Sequence, residues 1–237
     1  MRLKSIITFA AAMFLAVTSI FAKDVTYSLT SPDGHISATV TVGEDIRYTV
    51  SRDGQILIAP SAVSMRLSGD VVFGQNDKVR RAVRTSFDKT FPAVAYKKAE
   101  VRDNYNQITL IFKEFALVFR AYDDGVAYRF EGRLGKGKEY EVISEQAEFD
   151  FGEDRTAFVP YVIGLGGKQF DGQFYNSFEN TYTVQKLSAW CKDRLAFLPL
   201  AVEAENGVKV LVTEANLTNY PGMYLLGEEG GTMLRGV

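Results

Sequence analysis

Apolar and polar residues alternate with a period of two along most of this chain, and tight-turn dipeptides cut the alternation at short intervals. In HISATVTV the apolar positions are Ile36, Ala38, Val40 and Val42. That spacing makes one apolar face only if the segment is a strand. Asp53-Gly54 stands between RYTVS and QILIA, where a two-residue hairpin turn needs residues that tolerate positive φ. Gly69-Asp70, Asp123-Asp124-Gly125 and Asn206-Gly207 repeat the form. Strands are also expected in RRAVRTSF, AVAYKKAEVRD, NQITLIFK, EYEVISEQAEFDF, RTAFVPYV, FLPLAVEA and VKVLVTEA. In FALVFRAY both alternate faces, Phe115/Leu117/Phe119/Ala121 and Ala116/Val118/Arg120/Tyr122, are largely apolar. That pattern predicts a strand covered on both sides. Only TVQKLSAWCKD has the spacing for a short helix. Roughly thirteen strand candidates predict an all-β fold in a single domain, a large two-sheet sandwich rather than an immunoglobulin-type one.

Composition narrows the functional classes. The chain has 237 residues, 46% hydrophobic and 24% charged, which are globular values. Lys and Arg number 27 against 29 Asp and Glu, a near balance that offers no footprint for nucleic acid. The start, MRLKSIITFAAAMFLAVTSIFAKD, has Arg2 and Lys4, then an apolar run, then small residues near Ala22. This predicts a secretory signal peptide over residues 1–22 and a secreted, periplasmic mature chain with no membrane attachment after cleavage. The run is shorter than the roughly 20 residues of a spanning helix. Removal of Arg2 and Lys4 takes the basic count from 27 to 25. Cys191 is the single cysteine, so no internal disulfide forms. Beside Trp190, it reads as a small buried residue rather than a nucleophile. The single histidine, His35, lies in the turn SPDGH, which argues against histidine-based catalysis or metal binding.

One region breaks the meander. YVIGLGGKQFDGQFYNSFENTYT, residues 161–183, is rich in glycine and aromatics. A loop this long in a compact domain is usually functional. Gly164, Gly166 and Gly167 lack the Lys-Ser/Thr pair of a phosphate loop, so they read as turn glycines. Phe170, Phe174, Tyr175 and Phe178 suit core or docking contacts before sugar stacking. Glu179 in this loop and Glu214 further on read from spacing alone as solvated charges, because sequence separation does not show convergence.

Five segments, in order, carry a resemblance: SPDGHISATV, NYNQITLIF, FRAYDDGVAYRFE, FENTYT and VTEANLTNYPGMYL. Through them nearly all of the mature chain is similar to the N-terminal domain of glycoside hydrolase family 97, secreted α-glucosidases and α-galactosidases. The resemblance implies a β-super-sandwich of the galactose mutarotase type. It also implies a following catalytic (β/α)₈ barrel and a small C-terminal β domain, with the catalytic carboxylates on the barrel. No catalytic residue is then expected in this chain. Because the chain stops at TMLRGV, the expectation is a domain over residues 23–237 that is truncated before the barrel and incomplete at its C-terminal end, with unpaired sheet edges. By the same resemblance, Glu179 reaches across to the barrel and supplies one ligand to a shared calcium ion. Calcium takes about 6–8 oxygens, so the others would come from the barrel. Glu214, Asn216, Tyr220 and Tyr182, with Trp190, are expected on the barrel or substrate side.

Three functions compete. The first is the non-catalytic domain of a calcium-dependent α-glycosidase acting on oligosaccharides. The second is an independent carbohydrate-binding sandwich using the loop aromatics. The third, a mutarotase-like enzyme, needs histidines as acid and base, and His35 alone does not supply them.

Overall fold

The structure, a computed structural model, describes residues 24–133, 135, 139–162, 170–175 and 179–237. The predicted signal peptide, residues 1–22, lies outside the described residues, as do Gly164, Gly166, Gly167 and Phe178.

Sixteen strands are seen among the described residues. The first nine are β1 (Val25–Thr30), β2 (Ile36–Val42), β3 (Ile46–Arg52), β4 (Gln55–Leu67), β5 (Val71–Phe73), β6 (Arg81–Pro92), β7 (Glu100–Ile111), β8 (Phe115–Tyr122) and β9 (Gly125–Gly132). The rest are β10 (Val142–Asp150), β11 (Thr156–Val159), β12 (Thr183–Lys186), β13 (Leu200–Glu203), β14 (Lys209–Val212), β15 (Leu225–Gly227) and β16 (Met233–Gly236). The pairings are antiparallel throughout. The all-β expectation holds, with the strands in three hydrogen-bonded sheets. One runs β1-β2-β3-β4-β10-β16-β15 with β5 on β4, a second runs β6-β7-β8-β9, and a third runs β12-β11-β13-β14. Bridges from Leu225 to Ala196 and from Ala196 to Tyr161 join the third sheet to the first.

Turn chemistry explains the meander. Asp53 and Gly54 both have positive φ, 49° and 82°, between the paired residues Arg52 and Gln55, as a primed hairpin turn requires. Asn206 and Gly207 do the same between β13 and β14, at 56° and 75°. The alternation of β2 becomes a strict buried/half-buried pattern. Its inward residues Ala38, Val40 and Val42 join Ile46, Tyr48, Ile108, Leu110, Leu117 and Phe119 in one core, to which all three sheets contribute. Aromatic rings fill its centre: Phe115 stacks on Phe112 and Phe73 at 4.2 and 4.5 Å. Burying each such side chain contributes about 1.5–3 kcal/mol. Strand β8 is buried on both faces, Ala116 and Val118 included.

Three expectations are corrected. AVAYKKAEVRD and NQITLIFK are not two strands, because β7 runs unbroken from Glu100 to Ile111 against the full length of β6. TVQKLSAWCKD does not form an amphipathic α-helix. Its first four residues pair with β11, and one 3-10 turn, Leu187–Ala189, follows. Cys191 is exposed, because the turn directs Trp190 inward, where 2% of it remains accessible. Trp190 is therefore a core residue and not part of a docking surface.

Candidate functional site

Strand register brings the candidate residues to one end of the third sheet. Thr183 pairs with Val159, and Leu200 pairs with Val212. The β11–β13 register continues from Phe158↔Ala201, so these four residues form one row across the sheet. Glu179 precedes that row by four residues and Glu214 follows it by two. Tyr182 closes the row by donating from its hydroxyl to the Pro199 carbonyl at 3.1 Å.

The segment leading to Glu179 is seated by a neutral network. Gln173, 2% accessible, sits in a 3-10 turn over Phe170–Tyr175. Its Nε2 donates to the Asp193 carbonyl at 2.8 Å, and its Oε1 accepts from Leu195 N at 2.9 Å. A buried amide so satisfied avoids the desolvation cost of an orphan group. The Tyr161 hydroxyl accepts from Cys191 N and from Gln185 Nε2, each at 2.9 Å. Burial pushes its phenol up to about 12. Trp190 meets Tyr161 edge-on at 5.2 Å and donates from Nε1 to the Arg194 carbonyl at 2.9 Å. Gly227 is required here, because a Cβ would lie 2.7 Å from the Trp190 ring. Asp154 accepts from the backbone and hydroxyl of Ser188 at 2.9 and 2.7 Å, which holds its carboxyl below the usual range.

Phe170 and Phe174 pack with Phe197 and Tyr224 around Val162, Leu195 and Leu226. They form a satellite core, as expected for loop aromatics in core or docking contacts. Tyr175 is 89% accessible. Glu179 itself is exposed.

The second segment, 213–222, is fastened by carboxylates. Glu214 is half-buried rather than solvated, and its Oε2 accepts from Met223 N at 2.8 Å. Asn216 and Asn219 adopt φ of 61° and 57°, in the left-handed region that Asn tolerates. Tyr220 donates from its hydroxyl to Glu145 Oε2 at 2.8 Å. Glu145, on β10, was not legible as a site residue: it lies 75 positions away in an ordinary alternating segment. Burial raises its pKa, the Tyr220 bond opposes that shift, and the charge of Glu214 adds to it. Burial, then Glu145, also raises the Tyr220 phenol. The structure thus brings Glu214 and Tyr220 together around Glu145. It places Asn216 in the turn between them and Tyr182 on the neighbouring row.

Among the described residues, no three Asp, Glu, His or Cys side chains come together as a metal site. Glu179 is a hard oxygen donor of the kind calcium takes, and it fits such an ion only as one ligand of a set completed from outside this chain.

Comparisons with known proteins point one way. The family described as Glycosyl-hydrolase 97 N-terminal matches residues 29–235. A retaining alpha-galactosidase of Bacteroides thetaiotaomicron is 43% identical over 229 residues, 96% of this chain and 34% of that protein. The chain therefore spans about a third of the length of that curated relative. Among solved structures, a Glycoside Hydrolase Family 97 enzyme from Pseudoalteromonas sp. strain K8, in complex with acarbose, superposes with a TM-score of 0.73 at 20% identity, covering 89% of this chain and 31% of that one. A beta-arabinopyranosidase superposes with a TM-score of 0.78 at 22% identity, covering 89% and 35%. At these identities the two likenesses show a shared fold.

Proposed function

The chain belongs to the glycosyl-hydrolase 97 N-terminal family, and from that premise we propose that it is the N-terminal domain of a secreted, calcium-dependent α-glycosidase. The substrate bond is α-galactosidic before α-glucosidic, in line with the alpha-galactosidase relative. The observation that carries the reading is the exposed carboxylate of Glu179, four residues before the row-end residue Thr183 of the third sheet, with the elements packed beside that row locked by Gln173, Tyr161 and Trp190. Locked elements beside an exposed acid are what a ligand donated across a domain boundary needs, since positioning groups must be held by their surroundings. The partner in this reading is a (β/α)₈ barrel that supplies the catalytic carboxylates and the remaining calcium ligands. When bound, the calcium would polarise or orient groups at the scissile bond. Tyr182, Glu214, Asn216 and Tyr220 form the rest of the facing surface. The free-standing carbohydrate-binding reading gains nothing from Phe170 and Phe174, which are spent on the satellite core.

Calorimetry tests this. The chain extended through its barrel should bind calcium, and Glu179→Gln in that protein should weaken binding roughly tenfold or more, since it removes one charged oxygen ligand. Unchanged binding in the variant would reduce Glu179 to a loop charge.

A further inference from the structure

Strand β6 is an edge of the β6–β9 sheet. It is twelve residues long and exposed at ten of them. At the head of its hairpin Ala93 N donates to the Ala99 carbonyl at 2.9 Å, in register with the Pro92↔Glu100 pair. Counting back along the ladder, the odd-numbered residues of β6 exchange backbone bonds with β7. The N–H and C=O groups of Ala82, Arg84, Ser86, Asp88 and Thr90 then point to the open side. Pro92 falls in that outward set, where a strand tolerates a missing N–H.

The charges along this edge have a two-fold pattern. Arg84 and Asp88 stand two residues on either side of Ser86. A second copy of β6 laid antiparallel about Ser86 puts Arg84 opposite the second copy's Asp88, and Asp88 opposite its Arg84. The outward-facing sets of both copies meet, so their backbone groups can exchange hydrogen bonds. Moving the centre by one residue, to 85 or 87, preserves the backbone match but opposes Arg84 to Ser86 or to Thr90 and leaves neither charge pair. On the other face of the ribbon, Phe91, 47% accessible, comes opposite the second copy's Arg81, a cation over an aromatic ring. Asp88 already accepts from Arg102 Nε and Nη2, both at 2.7 Å. Its two oxygens keep lone pairs for a further donor. Arg84 reaches the Ser28 carbonyl through Nη1 alone among the described bonds.

We propose that two copies of this chain associate through β6, antiparallel about Ser86, with Arg84 facing Asp88 in both halves. A closed two-fold interface must be self-complementary, and this edge is so in both backbone parity and charge. The charges that guard an edge strand against aggregation here select one register of pairing. The site lies on a different sheet from the one that Glu179 precedes. Tyr105 pairs with Tyr122, next to the Asp123-Asp124 turn, and Asp123 accepts from Asp33 N at the hairpin end that also holds His35 and Asp53. Arg155 donates to the Ile56 carbonyl beside that hairpin, which fixes it at the start of β11, whereas Glu179 lies beyond the end of β11.

Sedimentation velocity on the wild-type chain, at concentrations up to roughly 100 μM, should show a monomer–dimer equilibrium. Arg84→Asp and Asp88→Arg should each weaken it roughly tenfold or more. The double exchange should restore it, which loss of structure would not do. Ser86→Pro should also dissociate the dimer, since it removes the central outward N–H. Should any variant fail to fold, hydrogen exchange on the wild type decides: the amides of 82, 84, 86, 88 and 90 should gain protection as concentration rises. A wild-type monomer over the whole range, a dimer indifferent to Arg84→Asp, a double exchange that does not restore association, or concentration-independent exchange at those amides would each overturn the proposal.

Discussion

The described residues around Tyr161, Gln173 and Trp190 and residues 213–222 flank the same end of the third sheet, and each group is fastened by its own chemistry. In the first, the buried bonds are made by neutral groups, the Gln173 amide, the Tyr161 hydroxyl and the Trp190 indole, and charged groups act at its margin, Asp154 on Ser188 and Arg194 on the Val162 carbonyl. The second is held by carboxylates: Glu214 on Met223 N and Glu145 on the Tyr220 hydroxyl. A neutral buried network keeps its strength over a wide pH range and breaks only when a member is removed. A carboxylate latch carries a desolvation cost that depends on its protonation state. The buried ties of the first group thus do not depend on protonation, whereas the main ties of the 213–222 segment are carboxylates and respond to pH.

The largest test of this difference is Trp190→Ala. Removing a buried indole leaves a cavity under the neutral network, and a cost of about 3–5 kcal/mol is expected in urea unfolding. A cost below about 1 kcal/mol would mean that the first group is not rigidly seated, because such a site would have collapsed to fill the cavity. Tyr220→Phe should cost less, about 1 kcal/mol, the usual net value of one hydrogen bond. It should also raise hydrogen exchange across 213–222 and leave exchange at Leu195 unchanged. Equal exchange increases in both segments would show that they form one unit and erase the distinction.

How much of this was legible depends on how local each cause is. Asp53-Gly54 and Asn206-Gly207 were readable because turn preference is set by the φ of two residues. The double burial of β8 was readable because both alternate sets of FALVFRAY are apolar. The unbroken β7 was not, since the polar stretch Arg102–Asn104 on the exposed ribbon looks like a turn until its pairing with β6 is known. Trp190 and Cys191 were misjudged because a single 3-10 turn, not a strand or a helix, decides which of them faces inward. The Glu145–Tyr220 pair joins residues 75 positions apart, and no periodicity reports such a contact. Glu179 could be picked out as the one acid of SFENTYT, within a glycine- and aromatic-rich loop, but the partners of Gln173 and Tyr161 that lock the neighbouring elements appear only in the fold.

The smallest expected effect, Glu145→Gln, sharpens the comparison most. Burial and the neighbouring charge of Glu214 raise the Glu145 pKa in the folded state above its unfolded value, with the Tyr220 bond acting against them. Between those two values the folded chain binds more protons than the unfolded chain, so stability falls as pH rises through that window. Above it, Glu145 is ionised in a half-buried site and costs stability. Gln keeps an oxygen that accepts from Tyr220 and removes the charge. Thermal melts at neutral pH should therefore place Glu145→Gln at or above the wild type. That advantage should shrink as pH is lowered through the carboxylate range, where the wild-type residue takes up its proton. A variant less stable than the wild type at neutral pH, in a protein that loses stability on acidification through Glu145, would mean that a partner holds this carboxylate ionised. The 213–222 latch would then be an ion-stabilised joint.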